Sequence, residues 1–342
     1  MNKKIKFLTL IVLSAVLISS LLLFTACNDN KTTRDENTVL RFSAPEGTPA
    51  LAMLRLVEDN KTIDGTKMEY EVVSASNIAV EMSDKKSDIV IMPVNAGANL
   101  IRQGADYKLV SIAVKGSLYL VGKTAEGGTL TIDDIKGKKI ACIGQTGVPG
   151  LVFRYVMSKK GITMLTDSGS VPDAAKNEIS VRYVADGNAA KTLLADSQVD
   201  FAVVGEPAAT AFKAAIGCNA EMNMQEQYAQ CSDNAENYPQ AGLFVKKELS
   251  ADTAFMNALF AALKVSKEWI NENPKSITAF AKENLYESAA FPPASIPRCA
   301  IDAEKLDDGR KTEIITFLSA VAAKDAQGNA IDWSALKDKL FA

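Results

Sequence analysis

The sequence predicts an α/β protein of two lobes, each a mainly parallel sheet flanked by helices. Three observations lead there. Apolar runs of strand length alternate with helical patterns along most of the chain, and that alternation implies parallel pairing. The pattern restarts after Lys123, which gives two blocks. Nearly every strand runs into a short turn of small residues that opens a helix.

The clearest such unit begins at Lys138-Lys139 and an apolar strand, Ile140 to Ile143. Glycines 144, 147 and 150 form a turn, and a helix follows with Leu151, Val152, Tyr155 and Val156 on one side. Pro149 near its start, Lys159-Lys160 in its last turn and Gly161 beyond are the expected punctuation. A strand that stops at such a turn presents free N–H groups at the helix mouth, where open α/β sheets bind ligands. The glycine spacing is not the dinucleotide fingerprint. Nor does Gly122-Lys123-Thr124 complete a phosphate loop, because Ser117 stands where its first glycine belongs.

The other elements follow in order. Residues 39–43 read as the first strand, 44–49 as a turn and 50–60 as a helix with Leu51, Leu54 and Val57 three apart. Residues 68–73 are a strand, and Ser74 to Asn77 are N-cap types opening the next helix. Strand 88–92 leads through Pro93-Val94-Asn95 into a helix to Arg102. Strand 109–114 and an extended run 116–121 close the first block. In the second, 132–137 is a helical turn, 163–177 a surface loop and 179–184 a strand. Asp186-Gly187-Asn188 opens a helix to Asp196, and strand 199–204 ends in Gly205-Glu206-Pro207 before helix 208–216. After a strand at 243–245 only helices are expected: 253–272, 275–284, 310–323 and 333–340, with Trp269 and Trp333 as packing anchors.

Composition excludes several function classes. The chain has 342 residues, a net charge of −3 and no histidine. Lys3, Lys4 and Lys6 are the only charges in the first 27 residues, so removing those three cations leaves −6 for the rest. An acidic body without basic clusters argues against nucleic acid. Without histidine there is no Ser-His-Asp or Cys-His machinery and no usual zinc site. No metal or cofactor is expected. Cys218 and Cys231 flank a polar stretch. Outside the cytoplasm they are candidates for a disulfide, which would add about 3 kcal/mol. Cys142 reads as a plain apolar residue in a buried strand, and Cys299 has no evident partner.

The N-terminus reads as an export signal: three lysines, an apolar core from Phe7 to Phe24, then Thr25-Ala26-Cys27. That end resembles a bacterial lipobox, with Phe24 in place of the usual leucine. The resemblance implies that Cys27 is diacylated and becomes the new N-terminus. The signal is 1–27 and the tether 28–38, and the lipid is the only membrane attachment.

Seven strand-end turns stand out: Glu46 to Pro49, Ser74 to Asn77, Pro93 to Gly97, Ser117 to Tyr119, Gly144 to Pro149, Asp186 to Asn188 and Gly205 to Pro207. If the lobes face each other, these turns line one cleft. They offer hydroxyls, amides and backbone N–H groups but no nucleophile with a base, so the cleft holds a ligand without transforming it. The contact residues expected are Glu46, Thr48, Pro49, Ser74, Ser76, Asn77, Val94, Asn95, Ser117, Tyr119, Gln145, Thr146, Gly147, Val148, Asp186, Asn188 and Glu206.

Tyr183 to Ala190, Leu193-Leu194-Ala195 and Val199 to Pro207 together resemble the solute-binding lipoproteins of ABC importers. The chain is most similar to the branch serving aliphatic sulfonates, nitrate and the pyrimidine precursor of thiamine. That branch carries G-x-V-D-A-x-x-x-x-E-P, and here Ser197-Gln198 replace its usual Gly-Gln. The resemblance implies a type II periplasmic-binding fold with two hinge crossings. It places residues 39–123 and 240–342 in lobe 1 and 124–239 in lobe 2. It also implies cleft contacts at Thr48, Asn95, Thr146, Asp186 and Glu206. The implied role is an extracytoplasmic, lipid-anchored monomer that passes a small molecule to a permease. Sulfonates or an aminopyrimidine-like heterocycle held by Glu206 or Asp186 are the ligands considered. The alternatives are a sensing or adhesion lipoprotein and, through two enzyme relatives of this fold, a catalyst. The missing histidine argues against one enzyme relative and the export signal against the other.

Overall fold

The structure, a computed structural model, describes residues 35, 37–166, 171–232 and 237–342. The expected lipid anchor at Cys27, the signal and most of the tether lie outside the described residues. Among the described residues there are thirteen strands: β1 Val39–Pro45, β2 Thr62–Ile63, β3 Thr66–Val73, β4 Ile89–Pro93, β5 Tyr107–Lys115, β6 Leu118–Gly122, β7 Gly128–Thr129, β8 Lys139–Ile143, β9 Thr163–Thr166, β10 Glu178–Val184, β11 Phe201–Gly205, β12 Ala220–Asn223 and β13 Pro239–Lys246. They form two sheets, ordered β2-β3-β1-β4-β13-β5 and β7-β12-β6-β11-β8-β10-β9.

Both sheets are built on one plan. In the first, β3, β1 and β4 are parallel neighbours, and β13 is inserted antiparallel between β4 and β5. In the second, β10, β8 and β11 are parallel, and β6 is inserted antiparallel between β11 and β12. Each inserted strand has just crossed from the other lobe. The crossings, at Gly116–Ser117 and at 237–238, touch: the Gly116 N–H donates to the Tyr238 carbonyl at 2.8 Å. A Cβ on Gly116 would fall 2.5 Å from Asn237 Oδ1 and 2.6 Å from the Tyr238 ring, so only glycine lets the crossings approach this closely.

This pairing corrects the sequence boundary at Lys123, because β6 belongs to the second sheet. Three other expectations also change. The helix expected over 50–60 is two, Thr48–Ala52 and Leu56–Asp59. Leu51 and Leu54 face a cluster with Ile270 and Phe291, whereas Ala50, Met53 and Leu56 face the sheet core. One unbroken apolar stripe would not serve both. The loop expected over 163–177 contains β9, a half-exposed edge strand with too little apolar content to show. The polar stretch after Cys218 holds β12 and the helix Met224–Cys231.

Alternate residues along each strand feed opposite faces. In β6 and β11, Leu120 and Val203 pack on one side while Val121 and Val204 pack on the other. The first cluster continues into the other lobe at the crossings. There Tyr228, Tyr238 and Phe317 meet, with ring centroids 5.2–5.9 Å apart. Phe317 lies on the helix Asp308–Val321, so the C-terminal segment braces the crossings from behind. Trp333 is buried and donates its Nε1–H to the Ala322 carbonyl at 2.9 Å. Trp269 packs on Phe280. Both tryptophans therefore anchor helices, as the sequence suggests. No described helix is long and apolar enough to cross a membrane.

Asp302 ties the C-terminal segment to lobe 1. Its buried carboxylate lies 3.0 Å from Arg310 and 3.6 Å from both Lys115 and Lys267, and it accepts the Ala303 N–H at 2.8 Å. Burial alone would raise its pKa. Arg310, Lys115, the Ala303 N–H and Lys267 outweigh that and hold it below the usual carboxylate range. The stabilisation is therefore present above the unfolded carboxyl's pKa of about 3.9, and it is lost as pH falls through the lower folded value. Asp302→Asn should cost about 2 kcal/mol in urea unfolding at pH 7, and the gap to the unchanged protein should shrink on acidification.

Candidate functional site

The carboxyl ends of the parallel strands face each other across the gap between the lobes, and direct side-chain contacts bridge it, among them two hydrogen bonds from the lobe 1 turns. On the lobe 1 side, Gly47 caps the helix Thr48–Ala52 at φ +89°, a left-handed conformation that favours glycine. Its N–H donates to the Tyr286 hydroxyl at 3.0 Å. Thr48 beside it is buried and donates its hydroxyl to the Glu206 carbonyl of lobe 2 at 2.8 Å. The second bridge runs from Asn95 Nδ2 to the Thr146 carbonyl at 3.0 Å. That carbonyl can only accept, so the amide orientation is dictated. Asn95 Oδ1 is then left buried with no hydrogen-bond partner among the described residues. A buried acceptor in that state costs about 1–3 kcal/mol until something donates to it.

In lobe 2, β8 ends at Ile143 and the helix Val148–Lys159 begins after four intervening residues. Gly144 sits at φ +64°, and its carbonyl accepts the N–H groups of Gly147 and Gly150 at 3.0 and 3.2 Å. The turn thus satisfies part of its own helix mouth, and those two donors are not offered to a ligand. Asp186 caps the helix Gly187–Ala195 by accepting the Ala189 N–H at 2.9 Å. Capping is therefore the role this acid visibly plays.

Glu206 follows β11 and is buried. One carboxylate oxygen lies 2.5 Å from Arg298 Nε, and the two oxygens accept from Thr210, its hydroxyl at 2.9 Å and its N–H at 3.1 Å. Burial pushes the Glu206 pKa up, and Arg298 and Thr210 only partly offset that. Arg298 also makes a two-pronged pair with Glu221, at 3.0 and 2.9 Å, and its guanidinium lies 3.8 Å from the Tyr119 ring centroid. For Glu221, burial is outweighed by the bonds from Arg298 and Lys213, and its pKa falls. Ser117 completes the group. Its carbonyl accepts the Glu206 N–H at 2.9 Å, and its own N–H donates to Gln240 Oε1 at 3.1 Å.

The structure thus joins Thr48, Ser117, Tyr119 and Glu206 in one group and Asn95 and Thr146 in another. The other expected contacts have varied settings. Val94 and Val148 are core side chains, and Tyr119 is buried beneath Arg298, so none presents a free side chain to a ligand. The Glu206 carboxylate is committed to Arg298 and Thr210. Ser74, Ser76 and Asn77 are exposed, and the two serine hydroxyls bond each other at 3.0 Å. Glu46, Gln145 and Asn188 are exposed at their turns, while Pro49 and Gly147 are half-buried at helix starts. The disulfide does not form, and all four described cysteines are free. Cys218 packs with Val121 and Val204, whereas Cys231 packs on the cluster of Leu120 and Val203, on the other face of the sheet.

Arg298, Gln240 and Tyr286 were not legible as site residues. They come from the C-terminal third, where helical periodicity says nothing about which side chain reaches another lobe. A cavity of about 770 Å³ lies behind the crossings, lined by Lys115, Tyr228, Tyr238, Arg310 and Phe317 among others, away from these turns. Among the described residues no group of His, Cys, Asp and Glu could hold a metal.

The glycine turn yields a test. A Cβ on Gly150 would lie 2.5 Å from the Gly144 carbonyl oxygen and 2.8 Å from that of Gln145, whereas one on Gly147 meets nothing closer than 3.7 Å. Gly150→Ala should destabilise by about 1–3 kcal/mol in thermal or urea unfolding. Gly147→Ala should cost clearly less.

Comparison with known proteins agrees with this architecture. No family model matches the chain, and no curated protein sequence does. Solved structures do. An ABC transporter protein of Parabacteroides distasonis matches at TM-score 0.66 and 20% identity, covering 86% of this chain and 96% of that one. The ligand-binding component of an ABC-type import system of Staphylococcus aureus, with zinc bound, matches at TM-score 0.64 and 11% identity, covering 90% and 97%. The periplasmic aliphatic sulphonate-binding protein of Escherichia coli matches at TM-score 0.61 and 12% identity, covering 86% and 90%. The chain carries the two-lobe fold of the solute-binding components of ABC import systems.

Proposed function

We propose that this protein is the extracytoplasmic solute-binding subunit of an ABC importer. It captures a small organic molecule between its lobes and delivers it to a permease. The observation carrying this reading is the pair of facing strand ends, joined by two crossings that can act as a hinge. A ligand that touches both lobes only when they approach shifts the population towards the closed form. No group in the gap pairs a nucleophile with a base, so the reading is of binding without catalysis. The protein acts as a monomer, held to the membrane by lipid on Cys27.

Ligand chemistry follows from what the gap leaves unpaired. Arg298 is neutralised by Glu206 and Glu221, which weighs against a ligand recognised by its negative charge. Asn95 Oδ1 lacks a donor. The ligand is therefore an uncharged or cationic molecule that donates an N–H or O–H to Asn95. This moves the recognition of an amino-heterocycle from Glu206 or Asp186 to an amide, and it places sulfonates second.

Small-angle scattering tests the capture step. Sulfonates, nitrate, pyrimidines, flavins and amino acids are first screened by thermal shift. A binder at one hundred times its dissociation constant should add about 2.7 kcal/mol. At saturation any extended population should disappear and the radius of gyration should not rise; a ligand-induced increase would defeat the capture reading. Asn95→Leu should weaken that binder by about tenfold while leaving unfolding of the ligand-free protein intact. Cys27→Ala should abolish labelling by an alkynyl fatty acid and leave the apolar signal uncleaved; persistent labelling would refute the anchor.

A further inference from the structure

Arg298 meets three residues of the other lobe, and the capture reading does not require it. It ends the 3-10 helix Pro293–Arg298, which is fixed to lobe 1. Ile296 and Cys299 are buried with Leu51, Leu54 and Ile270, and the Cys299 N–H bonds to the Ser295 carbonyl at 3.0 Å. Every charged or aromatic partner of Arg298 is in lobe 2: Tyr119 on β6, Glu206 after β11 and Glu221 on β12. Glu221 is itself held by Lys213 at 3.0 Å. The cluster balances two carboxylates against two cations. A planar guanidinium stacked on a ring and paired two-pronged with a carboxylate is geometrically specific. The Thr48 hydroxyl on the Glu206 carbonyl adds a neutral contact to the same strand end.

We propose that Arg298 is an inter-lobe latch that holds the lobes together before any ligand arrives. All of its bonds are made by protein groups alone, so closing through them needs no solute. Opening separates Arg298 from three partners at once, and water replaces those contacts only in part. The ligand then meets a protein in which much of the closing cost is already covered, which raises its apparent affinity. Arg298 acts as a positioning residue: it sets the relation of the lobes rather than touching the solute. The inference rests on the two-lobe capture reading, but its test is made without ligand.

The test measures the distance between spin labels on the full chain in detergent, with Cys27→Ser and Cys231→Ser removing reactive thiols. The labels sit at Ser83→Cys and Asp196→Cys, exposed positions at the far ends of helices in the two lobes. The latch predicts a dominant short distance in the ligand-free protein. Arg298→Gln should lower the ratio of short to long distances by about tenfold. Arg298→Lys keeps the charge and loses the fork, and it should give an intermediate ratio, which a merely structural role would not. Glu221→Gln breaks the same pair from lobe 2 and serves if Arg298→Gln unfolds. A dominant long distance in the unchanged ligand-free protein would overturn the latch, as would coinciding distributions in unchanged and Gln-substituted proteins. Coinciding distributions that all shorten with a solute would sink the latch but leave capture standing.

Discussion

The structure depends on the contact between its two crossing strands. Gly116 lies against Tyr238 with no room for a side chain, and each strand then enters the sheet of the lobe it has reached. Because β6 and β13 are inner strands of their sheets, neither lobe can shed its crossing segment without losing a row of hydrogen bonds on both sides. The lobes can turn about the crossings, but they cannot separate. Everything functional in the gap presupposes that restraint, since single hydrogen bonds such as Thr48 to Glu206 form only between groups already held near each other.

Within that frame, most polar groups of the gap are occupied by one another. Asp186 serves a helix end, Glu206 serves Arg298 and Thr210, and Gly144 gathers the amides of its own turn. What remains is small: an amide oxygen at Asn95, the Nε–H of Arg298, which lies beside Glu206 without hydrogen-bond alignment, and exposed groups around the rim. A site of this kind selects by shape and a few hydrogen bonds more than by charge. It contrasts with what bare helix mouths and acidic turns suggest when read one at a time.

That contrast shows where sequence reading works. Strand and helix alternation, the turn glycines and the two-lobe division were legible because they depend on local periodicity and punctuation. The helices Ala208–Ile216 and Thr253–Glu272 stand where the pattern puts them. The strand β6 was assigned to the wrong lobe because its apolar run is the same whichever sheet it joins. Val94 and Val148 were read as contacts because a turn pattern does not say which side chain points inward. Arg298 was invisible because a 3-10 helix in a proline-rich loop carries no sign of a partner about eighty residues away in sequence. Glu206 stood out in the sequence, but its partner decides its role, and no local pattern names that partner.

The exchanged strands also govern the order in which the molecule can be built. The second sheet uses strands from β6 to β12, one continuous stretch of chain. The first has a missing middle: β4 and β5 cannot be joined until β13 arrives, more than a hundred residues after β5 is made. Until then its two halves carry unpaired edges, which are templates for pairing with other chains. Maturation is therefore asymmetric: the second lobe can form by itself, and the first waits for the returning strand to join its halves.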